Sequence, residues 1–170
     1  TAKGTAMAGV AVGAAGNHHC SLGVAFNASF VGINARWNDG EKKRIEAFRR
    51  AFDKGQHILV TSLRSDSNET LGGPGHVEAM EIAKLAKIGR RGLGAVIIVP
   101  AGDGRRKMDN CNFNGYANSI HTITVGSVGY DGYIAEYSEP CVAQLVVAPS
   151  RDRTYKPGIA TTTTQVGNAH

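Results

Sequence analysis

Carboxylates and cysteines, two residue types that can do chemistry, occur together at two places in the second half of the chain. Asp109 lies two residues before Cys111, and Glu139 lies two residues before Cys141. The chain has three cysteines, an odd number, so at most one intramolecular disulfide forms and one thiol is left over.

Several short motifs could build a catalytic or binding site. They are K-G-T-A-M-A-G at 3–9, C-S-L-G-V-A-F-N-A at 20–28, G-R-R-G-L-G-A at 89–95, V-P-A-G-D-G at 99–104, D-N-C-N-F-N-G-Y-A-N-S at 109–119 and Y-S-E-P-C at 137–141. In this order and at this spacing they resemble the catalytic domain of the kexin and furin family, the proprotein convertases among the subtilisin-like serine proteases. The resemblance runs from about Lys3 to His170.

This resemblance implies a serine protease triad, in which a base takes the serine proton and an Asp orients that base. The family's Asp lies upstream of the matched region, and its nucleophile motif G-T-S-A follows the position of His170. Lys3 occupies the position of the catalytic His, and a lysine acts as a base only where burial removes its charge. In an alternative alignment, G-T-A-M-A at 4–8 is the nucleophile motif with Ala6 in place of the Ser. Both alignments lack an essential side chain, so we predict that this chain is catalytically inactive.

The resemblance also implies a substrate pocket with altered chemistry. The residues expected to form it are Ser62, Leu63, Arg64, Asn114 and Tyr116. Asn114 matches an acidic residue that pairs with a substrate Arg, and the family's D-G-P is G-G-P at 72–74. Charge pairing gives the family its preference for basic residues, so we expect this pocket not to favour Arg. Asp103 lies at the oxyanion-hole position, where Asn is usual and Asp is the poorer donor.

A disulfide and a calcium site are further implications of the resemblance. Cys111 and Cys141 match a family disulfide pair, which leaves Cys20 as the unpaired thiol. Asp109 and Glu139 match carboxylates of a family calcium site in the pocket floor. The third family carboxylate falls on Ser67, with Asp66 one residue away as a weaker ligand. Calcium is the one cofactor that this comparison implies.

Composition limits the partners. A net charge of +5 on 170 residues does not indicate nucleic-acid binding, and no apolar run approaches the ~20 residues that cross a bilayer. His18, His19 and Cys20 do not form a zinc site, because adjacent residues rarely reach one tetrahedral ion together. The resemblance implies a peptide or protein partner. The resemblance and the predicted disulfide imply the secretory pathway or the extracellular space.

Strand-like and helix-like stretches alternate along the chain, and these elements position the candidate site residues. The spacing predicts helices over 4–15, 41–54 and 74–89, the first of them buried. Strands are predicted over 28–35, 57–62, 94–100, 120–128 and 142–148, with a polar loop over 103–118. This order indicates an α/β fold with a central parallel sheet flanked by helices. We expect one partial domain over 1–170, incomplete at both ends.

Two functions follow from the resemblance. In the first, the chain is a fragment or degenerate member of a kexin-like serine endopeptidase domain that cleaves after basic residues. In the second, it is a pseudoprotease whose cleft binds a peptide or protein without cleaving it. Three departures from the family favour the second function: Lys3, Asn114, and S-L-R-S at 62–65, where the family has S-W-G-P along the substrate cleft.

Overall fold

The computed structural model describes residues 2–18, 21–35, 39–63, 71–151 and 158–163. They fall into two compact units, Thr1–Asn34 with Pro157–His170, and Ala35–Lys156. The prediction of one domain over 1–170 stays a prediction. No helix within the described residues is long and apolar enough to cross a membrane.

The first unit is built on one helix, α1 (Ala2–Val12). The hydroxyls of Thr161 and Thr162 donate to the carbonyl oxygens of Ala6 and Thr5, and this close approach requires a glycine at position 9. The expectation of a buried helix is wrong, because Gly9 is the one buried residue of α1.

The strand predicted over 28–35 does not form. These residues are turn or irregular backbone, with Phe30 60% and Val31 45% exposed. A strand needs a neighbour to satisfy its backbone groups, and the described residues provide none for this segment.

The second unit contains a four-stranded sheet and two helices. Helix α2 (Glu41–Asp53) precedes β1 (Ile58–Val60), and α3 (His76–Gly92) connects β1 to β2 (Val96–Pro100). The strands β3 (Ile123–Val128) and β4 (Gln144–Pro149) follow. The order in the sheet is β1-β2-β3-β4, and every pair is parallel. This architecture confirms the α/β prediction.

Two amphipathic helices, α2 and α3, pack against each other and bury apolar side chains. Helix α2 buries Phe48 and Ala51, and α3 buries Ile82 and Leu85. Side chains of β2 point alternately to the two faces of the sheet, and Ile97 and Val99, two residues apart, are both buried. The helical dihedrals of α3 end before Gly89, since Arg90 and Arg91 have φ values of 48° and 58°.

Parallel strands bring their carboxyl ends to one edge of the sheet, where α/β proteins bind ligands. Residues 61–63 leave β1 there, and 101–104 leave β2. The Thr61 amide donates to Ile98 and the Ala101 amide donates to Val125, so pairing continues just past the strand ends. The sheet thereby places Ser62, Leu63 and Asp103 at the same edge.

Candidate functional site

Two glycine-containing segments form the predicted pocket floor by direct backbone contact. Gly72 and Asn114 form a parallel bridge, in which the Gly115 amide donates to the Gly72 carbonyl at 2.6 Å. A Cβ on Gly73 would lie 3.0 Å from the Gly115 Cα, and a Cβ on Gly115 would lie 3.0 Å from the Gly73 Cα. Larger residues would separate the two segments. The structure therefore brings together the G-G-P and Asn114 segments that the sequence assigned to one pocket.

The Asn114 side chain is fixed within this floor. It is 8% exposed, and its Oδ1 accepts a hydrogen bond from the Tyr116 amide at 3.0 Å. The following turn is closed by the Asn118 amide, which donates to the Asn114 carbonyl at 2.8 Å. Because an N–H donor faces Oδ1, the side-chain Nδ2 points away from the turn.

Tyr116 has a different place from the one the sequence assigned. Its side chain is 1% exposed, and its hydroxyl donates to Glu78 Oε1 at 2.7 Å instead of facing the pocket. The Arg44 Nε donates to the same carboxylate, at 3.1 Å from Oε1 and 3.2 Å from Oε2. We call Arg44, Glu78 and Tyr116 the buried triad. It links α2, α3 and the residues directly after Asn114.

Burial and hydrogen bonding shift the pKa values of the triad. Burial, together with the hydrogen bond and charge of Glu78, raises the pKa of Tyr116 far above its ordinary value. Burial alone would lower the pKa of Arg44, but the hydrogen bond to Glu78 and the electrostatic interactions with Tyr116 and Glu78 raise it. At neutral pH the tyrosine is therefore a neutral donor and the arginine a cation.

Sequence reasoning missed Arg44 and Glu78, although the helical spacing contains the signal. Glu78, Ile82 and Leu85 are spaced i, i+4 and i+7 on the buried side of α3. Arg44 stands in the same relation to Phe48 and Ala51 on α2. Opposite charges in the apolar stripes of two adjacent helices predict a buried ion pair.

The loop that carries Asp103 is held by the Glu139 segment. Gly104 donates its amide to Glu139 Oε1 at 2.8 Å, and the Glu139 amide donates to the Gly102 carbonyl at 3.4 Å. Asp103 itself is exposed between the two glycines. Asp103, the residue predicted for the oxyanion hole, therefore lies on a loop at the carboxyl end of β2 that hydrogen bonds to Glu139 hold in place.

Asp109 and Glu139 converge on Gly104. A Cβ there would lie 2.8 Å from Glu139 Oε1 and 3.0 Å from Asp109 Oδ2, so both carboxylates reach the same glycine. The structure has a disulfide between Cys111 and Cys141, with a Cα–Cα distance of 5.3 Å, which joins the two loops. Across the described parts of the chain, no three His, Cys, Asp or Glu side chains form a metal cluster. Asp66, the weaker calcium ligand, lies outside the described residues.

The other residues predicted for the site lie after β1, in α1 or outside the described residues. Ser62 and Leu63 are half-buried after β1, where the Leu63 amide donates to Thr61 Oγ1 at 3.0 Å. Arg64 and Cys20 lie outside the described residues. Lys3 is exposed in the first turn of α1, in the first unit.

Solved structures support the fold. MycP1 with its N-terminal propeptide removed aligns with a TM-score of 0.67 and 17% identity, over 88% of this chain and 53% of that chain. A protease from Pseudoalteromonas arctica aligns with a TM-score of 0.68 and 20% identity, over 87% of this chain and 43% of that one. At such identities the likeness shows a shared fold alone.

Sequence relatives confirm the resemblance to the proprotein convertases. Human proprotein convertase subtilisin/kexin type 5 is 36% identical over 163 residues, which are 94% of this chain and 9% of that protein. Human type 4 is 37% identical over 161 residues, which are 93% of this chain and 20% of that protein. The chain thus spans a minor part of the relatives it matches. The subtilase family pattern matches residues 3–169, and the chain belongs to the subtilase family.

Proposed function

We propose that this chain is a proprotein-convertase-like subtilase domain that holds an extended peptide at the carboxyl edge of its sheet without hydrolysing it. The observation that carries the proposal is the pocket floor, in which the Gly72–Asn114 pairing is intact and the floor side chain is an amide. Ser62 and Leu63 leave β1 at the same edge and supply a wall for a peptide backbone. This geometry supports the binding of a peptide more than its hydrolysis.

The loss of hydrolysis rests on the base position. A Ser nucleophile needs an acceptor for its proton, and an ammonium group has three donors and no acceptor. Lysine replaces histidine as a base only where burial removes its charge, whereas Lys3 is exposed. Asp103 adds to the loss, because a carboxylate repels a developing oxyanion unless it is protonated.

Calcium binding between the loops is part of the proposal. Asp109 and Glu139 both reach Gly104, and two carboxylates this close are stabilised by a divalent cation. Calorimetric titration with calcium is expected to give heat that Asp109→Asn abolishes. Asp131→Asn is the matched control, since Asp131 lies in an exposed turn and accepts from the Tyr133 amide. Equal heat from both variants would contradict the site.

We also propose that the chain works in the secretory pathway or outside the cell. The disulfide between Cys111 and Cys141 supports this, since disulfides persist in oxidising compartments. The relatives are named as proprotein convertases. Expression with a secretion signal is expected to give more soluble chain than expression in a reducing cytosol. The opposite yield would argue against this location.

Hydrolysis after basic residues is the competing function, favoured by the names of the relatives. The test uses the full chain with fluorogenic Arg-Arg and Lys-Arg peptides, with and without calcium, beside a covalent serine-protease probe. The proposal predicts no turnover above the buffer rate and no labelling, also after Lys3→His. Turnover or labelling at a defined serine would establish the peptidase instead.

A further inference from the structure

We infer that Asn114 makes the pocket specific for a neutral side chain that accepts hydrogen bonds, of which glutamine is the model, and that basic side chains are rejected. This inference rests on the proposed peptide-binding function and names the side chain that the pocket would take. The inference follows from the orientation in which the floor fixes the Asn114 side chain. The absence of a carboxylate at this position would explain only the loss of a preference for Arg.

The orientation of the Asn114 amide determines which group the pocket presents. Its Oδ1 is engaged by the Tyr116 amide at 3.0 Å, so the acceptor of this side chain is already used inside the turn. No described residue accepts a hydrogen bond from Nδ2, and this atom is not among the buried side-chain atoms that lack a partner. It is a donor that water or a ligand oxygen can pair with. A ligand oxygen at this point is therefore favoured.

The buried triad prevents a 180° flip of the Asn114 side-chain amide. The Tyr116 hydroxyl is bonded to Glu78 at 2.7 Å, and the Thr122 hydroxyl donates to the Tyr116 carbonyl at 2.7 Å. Tyr116 is thus fixed at both its side chain and its backbone. Since its amide needs an acceptor, Asn114 cannot exchange Oδ1 for Nδ2 without leaving that amide unpaired.

Charge decides between the acceptors. A guanidinium or ammonium group meets a donor at Asn114, and the described residues of the floor offer it no side-chain carboxylate, so Arg and Lys side chains are disfavoured. A carboxylate would accept as well, but at the larger cost of removing a charged group from water. A carboxamide oxygen accepts from Nδ2 at the smallest desolvation cost.

The test measures binding of labelled peptides to the full chain by fluorescence anisotropy. The peptides share one sequence and carry Gln, Met, Glu or Arg at a single position. We expect the Gln peptide to bind about three- to tenfold more tightly than the Met peptide, the effect of one neutral hydrogen bond, and more tightly than the Glu and Arg peptides.

Asn114→Asp is the sharpest variant because it exchanges one NH2 group for an oxygen. In this variant one carboxylate oxygen still accepts the hydrogen bond from the Tyr116 amide. The other oxygen replaces the Nδ2 donor with a charged acceptor. We expect the preference to reverse towards Arg by about tenfold or more, through a charge-assisted pair. Asn118→Asp is the matched control: Asn118 is exposed and donates to the Asn112 carbonyl, and the same charge there should not reverse the order.

The outcomes separate the two ideas. If the peptides bind with equal affinity to the parent chain, or if Arg binds best, the specificity inference is wrong while peptide binding stands. If no peptide binds, the proposed function fails and the inference fails with it. Should Asn114→Asp not fold, which the thermal transition reports, the ranking of the four peptides on the parent chain still decides.

Discussion

The buried triad should contribute far more stability than an exposed ion pair between the same two helices. Arg44 and Glu78 are 9% and 0% exposed at the side chain and 3.1 Å apart. Removing one partner of a buried pair costs about 3–5 kcal/mol, because the other charge stays buried and unpaired. Since a domain has a free energy of unfolding of about 5–15 kcal/mol, Arg44→Met should remove a large fraction of it.

The chain supplies its own control. Arg49 and Glu81 join α2 to α3 at 2.7 Å, but the Arg49 side chain is 55% exposed. Such pairs contribute about 0–1 kcal/mol, so Arg49→Met should change the free energy of unfolding little. Both variants remove the same cation and introduce the same side chain. Urea unfolding, followed by circular dichroism, gives both values on one scale.

A double-mutant cycle separates the charge from the packing. Arg44→Met with Glu78→Leu removes both charges and fills the space with apolar groups, which is often neutral or stabilising. The double variant should therefore recover part of the stability that Arg44→Met loses, and the remaining loss is the cost of the buried Tyr116 hydroxyl without its acceptor Glu78. The reasoning is refuted if Arg44→Met costs no more than Arg49→Met, or if the double variant is less stable than Arg44→Met.

Three further predictions concern pH, the pocket floor and the thiols. Burial raises the pKa of Tyr116, so its contribution is complete below pH ~10, the ordinary tyrosine value, and is lost as the pH rises from there. Tyr116→Phe should flatten the alkaline loss of stability, and parallel pH curves would contradict this. Gly115→Ala should weaken peptide binding measurably, because its Cβ would lie 3.0 Å from the Gly73 Cα; unchanged affinity would show that the segments can separate. Thiol titration of the unfolded, unreduced chain should find one thiol, with the peptide bridge between Cys111 and Cys141 seen by mass spectrometry; three thiols would contradict it.

Sequence periodicity predicted the elements that bury one continuous face. The apolar spacing of α2 and the β-branched run of β2 are both found where expected. The segment 28–35 has strand-like composition but no partner strand among the described residues, and local composition carries no information about pairing. On α3 not every apolar residue is buried, since Val77 and Met80 are 46% and 59% exposed.

The candidate site could be located from sequence, but its chemistry could not be completed. The motifs brought Asn114, Asp109 and Glu139 to one edge of the sheet through their resemblance to a family. The direction of the Asn114 amide depends on which backbone N–H faces it, and that is a property of the folded turn. Glu78 was missed because a charge in a helix is taken as solvent-facing, whereas its partner lies 34 residues away on another helix.

Binding without cleavage is the central claim, and one measurement tests both halves of it. The full chain is incubated with a mixture of synthetic peptides that differ at one position, then separated by size exclusion, and the peptides that travel with it are identified by mass spectrometry. We predict intact peptides with the chain, enriched in Gln over Arg at the variable position, and no cleavage products in any fraction. Products cut after Arg or Lys, or a protein fraction free of peptide, would contradict the account.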